Sequence, residues 1–412
     1  MNSIESLLIA PIKSFDRETF NNHLNNLSIE DRNNLISGIC SNKFSSIYLK
    51  YIFSANLNDL FKEDELLILK NHADRYQIQN LEIVKEVLHI DKIFKENNLS
   101  PVYLKGVALM NEFDDISHRP SNDIDILFKE EEVFTAYEIL KNNNYKEFRN
   151  VQLSKSDLID YSKKNHHLPE LCRNTRIMIE LHHRVTSYQD FEKCPLSQKI
   201  LKEKISFDFY GIKIFKPNIN DMIVHLILHY SLQNYFNNSL RIFFDIYQIE
   251  KKYNIDWGEV SQSHENDKLK KAILLSLGVL NQDLKLIKDF DDFKNNFLMD
   301  FPSNEIIKIC HKRTFDLGKK NIQPKTLLMI DQSNSLISIF KVIIQSFLNT
   351  KKDAIRDYRI TEKNHFKILY LSINKLFEKI KINFSSTIKL IFNRGKISKD
   401  YYSIKKIQKW IN

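Results

Sequence analysis

"YLKGVALMNEFDDISHRPSNDIDILF", residues 103–128, decides how the rest of the chain is read. Its texture is strand, helix, loop, strand. "PVYL" (101–104) is a short strand candidate, "GVALMNEF" a helical run, "SHRPSN" a loop, and "DIDILF" alternates into a second strand. Asp123 and Asp125 sit two apart within an apolar run that also holds Ile124, Ile126, Leu127 and Phe128. Residues i and i+2 of a strand share a face. The two carboxylates therefore project side by side, away from the face of Ile124 and Ile126. At that separation they repel, and one must hold a proton unless a cation lies between them. A hard divalent cation with oxygen ligands resolves the conflict, and Mg²⁺ with one or two carboxylates plus substrate phosphates suits a paired Asp.

Working outward, "RIMIELHHRV" (176–185) offers a third acid, Glu180, between Ile179 and Leu181 in another apolar strand. If that strand lies beside the Asp pair, Asp123, Asp125 and Glu180 form a metal-ligand set. Two metals about 3.5–4 Å apart would then clamp an attacking oxygen and the α-phosphate of a nucleotide. Upstream, Lys105 and Gly106 stand between a strand and a helix. A glycine there admits backbone N–H groups to phosphate oxygens, and Lys105 adds a point charge. Arg119, four residues before Asp123, is a second candidate for the triphosphate, because a guanidinium binds phosphate bidentately. A lone DxD also occurs in glycosyltransferases; it is the order of strand, Lys-Gly, helix, Arg, DxD, helix and acid-bearing strand that argues against a chance occurrence.

These residues resemble a known family. "YLKG", "RPSNDIDILF" and "IELHHRV" look like the uncharacterised nucleotidyltransferase family of the polymerase-β-like nucleotidyltransferase superfamily. "GIKIFKPNINDMIVHLILHYSLQN" is similar to its hairpin entering a His-bearing helix, and "SLRIFFDIYQI" to its following helix with an Asp. The resemblance is good over about residues 84–260, weaker beyond, and poor over the first 80. It implies a mixed sheet with flanking helices, Mg²⁺ and an NTP. By position, Asp123, Asp125 and Glu180 would be the metal ligands, and Glu180 would orient or deprotonate the acceptor hydroxyl. Lys105-Gly106 departs from the superfamily's more frequent Gly-Ser. His182, on the strand face of Glu180, is expected at the acceptor or beside the metal ligands. His229 is expected to face the nucleotide and to pair with Asp245. A half-buried structural histidine is the plainer reading of His182, and an Arg241–Asp245 helix ion pair that of Asp245.

The fold expected is α+β: a small mixed-sheet nucleotidyltransferase core with flanking helices, embedded between N-terminal and C-terminal helical regions. The expected boundaries are 1–83 (helical), 84–217 (core), 218–330 (helical) and 331–412 (basic, helical). Only 7 Gly and 8 Pro in 412 residues favour long helices over a turn-rich sandwich. With 42% hydrophobic and 27% charged residues the chain reads as globular, not disordered. Its four cysteines lack CxxC spacing, so reduced thiols are expected. "MNSIESLLIAPIKSF" lacks the basic start of a signal peptide, and the apolar segment 335–348 carries Lys341 and is too short to cross a bilayer. A cytoplasmic location follows.

The net charge of +9 resides in one tail: residues 351–412 hold 16 Lys and Arg against 5 Asp and Glu. Its lysines alternate with aromatic and aliphatic residues, so contact with RNA or a membrane surface is one reading, and a solvated helical face the plainer one. The main reading is Mg²⁺-dependent transfer of an NMP from an NTP, with release of pyrophosphate, to an acceptor the sequence does not name: small molecule, biosynthetic intermediate, protein or RNA. A catalytically inactive nucleotide-binding scaffold and a DxD-type glycosyltransferase are the alternatives.

Overall fold

The computed structural model describes residues 3–148, 154–163, 165–173, 177–186, 195–237, 240–263, 266–297, 301–316 and 394–412. The chain divides into two compact units. One comprises residues 1–146 and 154–318 and carries every site residue discussed below; the other comprises 147–153 and 319–412.

Five short strands build the main sheet: β1 (Val102–Tyr103), β2 (Asp123–Leu127), β3 (Lys146–Glu147), β4 (Leu171–Cys172) and β5 (Met178–His182). Their spatial order is β1-β2-β5-β4-β3. β1 runs antiparallel to β2, β2 parallel to β5, and β4 antiparallel to β5, so the sheet is mixed. The parallel pair needs a crossover, and the chain supplies one that includes the helix Glu130–Asn142. Three acids in that helix's first turn lie at the end its dipole favours for negative charge. The α+β class with flanking helices is therefore the fold.

Register follows from the apolar run. Ile124, Ile126, Leu127 and Phe128 are fully buried. Burying each side chain contributes about 1.5–3 kcal/mol, so a slip by one residue, which exchanges the two faces, is strongly disfavoured.

Ahead of the sheet lies a 34-residue helix, Glu63–Glu96, whose core face carries Leu69, Ala73, Tyr76, Ile83, Val87, Ile90 and Phe94 at three- to four-residue spacing. Fully buried Asn80 interrupts this apolar stripe. Its amide reaches into the loop before β2: Nδ2 donates to Arg119 O at 3.0 Å and to Ile116 O, and Oδ1 accepts from Ser121 N at 3.0 Å. The long helix thus fixes the approach to the Asp pair.

After the main sheet comes the hairpin of β6 (Ile205–Phe209) and β7 (Ile212–Lys216). Its two turn residues, Tyr210 and Gly211, both have positive φ (49° and 89°), as the tightest hairpin turns require. The helix Ile219–Leu228 follows. Asn218 caps it, its side chain accepting from Asp221 N at 2.9 Å. A single π turn, His229–Gln233, ends that helix, and the helix Arg241–Lys252 comes next.

Of the basic tail, the helix Arg394–Ile411 is described, with Ile404, Ile407 and Ile411 buried along one stripe. The rest of that tail, and the apolar segment 335–348, lie outside the described residues. Among the described residues no helix is long and apolar enough to cross a membrane.

Candidate functional site

Parallel pairing sets Asp125 directly opposite Glu180 and Leu127 opposite His182. Side chains at paired positions share a face, so the two acids meet across strands without any loop to position them. His182 lies between them: its Nε2 is 2.9 Å from Asp125 Oδ1 and 3.3 Å from Glu180 Oε2. One potential ligand atom from each of Asp125, Glu180 and His182 lies within 4.8 Å of the other two. Asp123, expected in the same set, projects from the same face of β2 two residues earlier; its Oδ1 accepts from Ser121 Oγ at 3.3 Å. His182 is therefore at the centre of the acid cluster rather than at its rim.

Within the chain itself Lys105 and His182 are polar partners of these acids. Lys105 Nζ sits 2.8 Å from Asp125 Oδ1, on the oxygen that His182 also contacts. Lys105 reaches it from a left-handed backbone conformation with φ 39°, which costs a non-glycine residue on the order of 1–3 kcal/mol. Burial works against every charge here, and the partners decide the outcome. For Asp125 burial is outweighed by the Lys105 charge and the His182 hydrogen bond, which hold its carboxyl well below the usual range. His182 is raised because its bonds to Asp125 and Glu180 outweigh burial. Glu180 is lowered, burial being overcome by its bond to His182. Asp123 has less compensation: burial and the Asp125 charge push it up to about 6. It is the member of the pair that gives way, as like charges at close range require.

A hard cation fits this donor set. Asp125 Oδ2 is buried and has no hydrogen-bond partner, and Glu180 keeps 17% of its side chain exposed, so both can offer oxygen. The group whose ligand atoms converge is Asp125, Glu180 and His182, and these are the residues that could hold it.

The other expected site residues lie as follows. Gly106 is buried against the loop before β2. A Cβ there would lie 2.2 Å from Ser121 Oγ and 2.7 Å from Ser121 Cβ, so the missing side chain admits Ser121. Gly106→Ala should overpack this contact and lower stability by about 1–3 kcal/mol. Urea unfolding checks it, and adding Ser121→Gly should return most of the loss. A single Gly106→Ala variant as stable as the parent would mean the contact is not tight.

Arg119, expected at a triphosphate, gives both forks to Asp245: Nε to Oδ1 at 2.6 Å and Nη2 to Oδ2 at 3.0 Å. Asp245 is thereby paired with neither His229 nor Arg241. Arg241 Nη1 donates instead to Pro120 O at 2.8 Å. His229 opens the π turn, with Nδ1 3.2 Å from Asn234 Nδ2. Burial and the nearby Lys105 charge press its imidazole down to about 3, so it is neutral.

A model of the family described as uncharacterised nucleotidyltransferase matches residues 43–284, more than half of the chain. The chain belongs to this nucleotidyltransferase family. No curated protein and no solved structure matched it. The match begins well before residue 84, where the likeness of motifs becomes good, and ends with the helix Asp267–Leu284.

Part of the N-terminal helical region thus belongs to the nucleotidyltransferase segment, and the structure gives the reason: Asn80 and Gln79 of the long helix hold the Arg119–Asn122 loop, and Lys43 Nζ donates to Asn122 Oδ1. These residues, and Ser121, escaped sequence reasoning because their partners are far along the chain and no spacing marks them. His166 and His167 were missed as well; their rings lie 5.2 and 5.3 Å from that of His182.

Proposed function

We propose that the chain transfers an NMP from an Mg²⁺-bound NTP, ATP among the candidates, to an acceptor hydroxyl and releases pyrophosphate. The observation that carries this reading is the strand register that sets Glu180 against Asp125, beside Asp123, in a member of a nucleotidyltransferase family. The same family match favours nucleotidyl over glycosyl transfer. Mg²⁺ bound to Asp123, Asp125 and Glu180, one ion or two, would supply Lewis-acid stabilisation of the developing phosphate charge.

The chain's own residues do the rest. The acceptor oxygen attacks the α-phosphorus, the bond to the bridging β-oxygen breaks, and pyrophosphate leaves. Glu180, held ionised and partly exposed, takes the acceptor proton. His182 keeps both carboxylates oriented. Lys105 stands where its ammonium can turn from Asp125 to a phosphate oxygen, and Gly106 lets the loop before β2 close behind it. His229, neutral, faces the nucleotide. Most of the rate gain is positional, as expected for phosphoryl chemistry with little covalent work for the protein. We place the reaction in the cytoplasm.

Incubation with each α-³²P-NTP, Mg²⁺ and cell extract tests this. Wild type should label an acceptor, and Glu180→Gln should do so at least about 10²-fold more slowly, the contribution of a general base. Equal labelling by Glu180→Gln, or transfer of γ-label instead of α-label, would remove the reading.

A further inference from the structure

A cavity of about 630 Å³ lies between the helices Ile29–Ser41 and Glu63–Glu96. Its lining mixes Ser37, Ser41, Lys43, Ile68, His72 and Tyr76. The size is that of a pocket for one small molecule. Two of its lining groups stand out. His72 Nδ1 is buried and has no hydrogen-bond partner. Lys43 forms no ion pair within 4.0 Å among the described residues; its ammonium is hydrogen-bonded to Asn122 Oδ1, and the next residue is Asp123. Lys43 thus both lines the cavity and bonds the residue next to Asp123 in the chain.

The charge around Lys43 is lopsided. Arg119 and Arg241 both donate to Pro120 O, at 3.3 and 2.8 Å, so two guanidiniums crowd the loop that Lys43 also touches. Asp245 answers one of them and Asp123 is the other nearby acid. Burial, then Arg241, press the Lys43 ammonium down to about 7. An anion at this point would lie near Lys43 and Arg241, the two members of this group whose hydrogen bonds among the described residues go to neutral oxygens, on Asn122 and Pro120. The other acid–base pair at the cavity needs no such help, because Glu65 accepts from Arg32 at 2.6 Å and from Lys62 N at 2.8 Å.

We propose that this cavity is the acceptor pocket, and that it takes a small molecule whose phosphate or carboxylate group is held by Lys43. The assignment rests on the nucleotidyl-transfer reading and narrows it: an acceptor that fills about 630 Å³ is a metabolite-sized molecule. Lys43 is then a positioning residue that holds the acceptor's anionic end while its hydroxyl points toward the acid cluster.

Titration calorimetry on the full chain separates the possibilities, with inorganic phosphate and malonate as probes in EDTA, and ATP–Mg²⁺ measured in parallel. Lys43→Met should weaken phosphate or malonate binding at least tenfold. Ser37→Phe, at an exposed position on the cavity lining, should do the same by filling the space, while ATP–Mg²⁺ affinity stays within about threefold. Whichever probe binds names the anion. Wild-type binding of neither probe, or equal binding by both variants, overturns the pocket. Loss of ATP–Mg²⁺ binding on Ser37→Phe overturns it too, because the cavity would then hold the nucleotide. Absence of ATP–Mg²⁺ binding by wild type would instead be the failure of the nucleotidyl-transfer reading.

Discussion

Asp125→Asn should abolish Mg²⁺-dependent nucleotide binding and cut label transfer on the order of 10³-fold, the scale seen when one preorganised electrostatic group is lost from a water-excluded site. The substitution is nearly isosteric, so the effect isolates charge. Asp125 is 1% exposed and holds Lys105 at 2.8 Å and His182 at 2.9 Å through one oxygen, leaving the other without a partner. An amide at this position offers a neutral oxygen and an N–H in place of a second anionic ligand. It also leaves the Lys105 ammonium without the carboxylate that balances it. Far-UV circular dichroism should show the fold retained, because the apolar residues around it on β2 are unchanged. Transfer within tenfold of wild type by a folded Asp125→Asn protein would show that the β2 acids do not do the chemistry.

The second large effect is on stability. Arg119→Ala should cost about 3–5 kcal/mol, the penalty for leaving one partner of a buried ion pair uncompensated. The pair is bidentate, and its side chains are 8% and 3% exposed. It joins the loop before β2 to the helix Arg241–Lys252, so the loss should also loosen the loop that carries Ser121 and Asn122. Arg119→Lys should recover only part, because an ammonium cannot reproduce the planar fork. The double change Arg119→Met with Asp245→Leu should recover more than either single change, since no charge is then left buried. Urea unfolding of the three variants measures this. If Arg119→Ala unfolds like wild type while losing ATP affinity, the guanidinium serves the triphosphate and not the fold.

A similar logic applies at Glu112, which is buried and receives Lys216 together with Lys252 at 2.7 Å and Tyr253 Oη at 3.0 Å. This cluster ties β7 and the helix Arg241–Lys252 to the short helix Lys105–Met110. Two buried charged junctions, at Asp245 and at Glu112, thus fix the helices that follow the sheet to the elements that carry the acids.

The amino-acid sequence by itself determined the α+β class, the two acid-bearing strands, the shared face of Asp123 and Asp125, and membership of the family. The first three depend on two-residue and three- to four-residue periodicities, which are local and therefore written in adjacent letters; the family rests on the likeness of whole motifs and the match over residues 43–284. The strand order, which brings Glu180 to Asp125, was expected only on condition that the strands were neighbours; the parallel register meets that condition. What only the tertiary structure decided is who neutralises whom. Lys105 and His182 on one oxygen of Asp125, Arg119 on Asp245 126 positions away, Ser121 in the space left by Gly106, and Lys43 beside Asn122 are all products of packing. A buried charge selects its partner by proximity in a low-dielectric interior, and that proximity has no period to read along the chain.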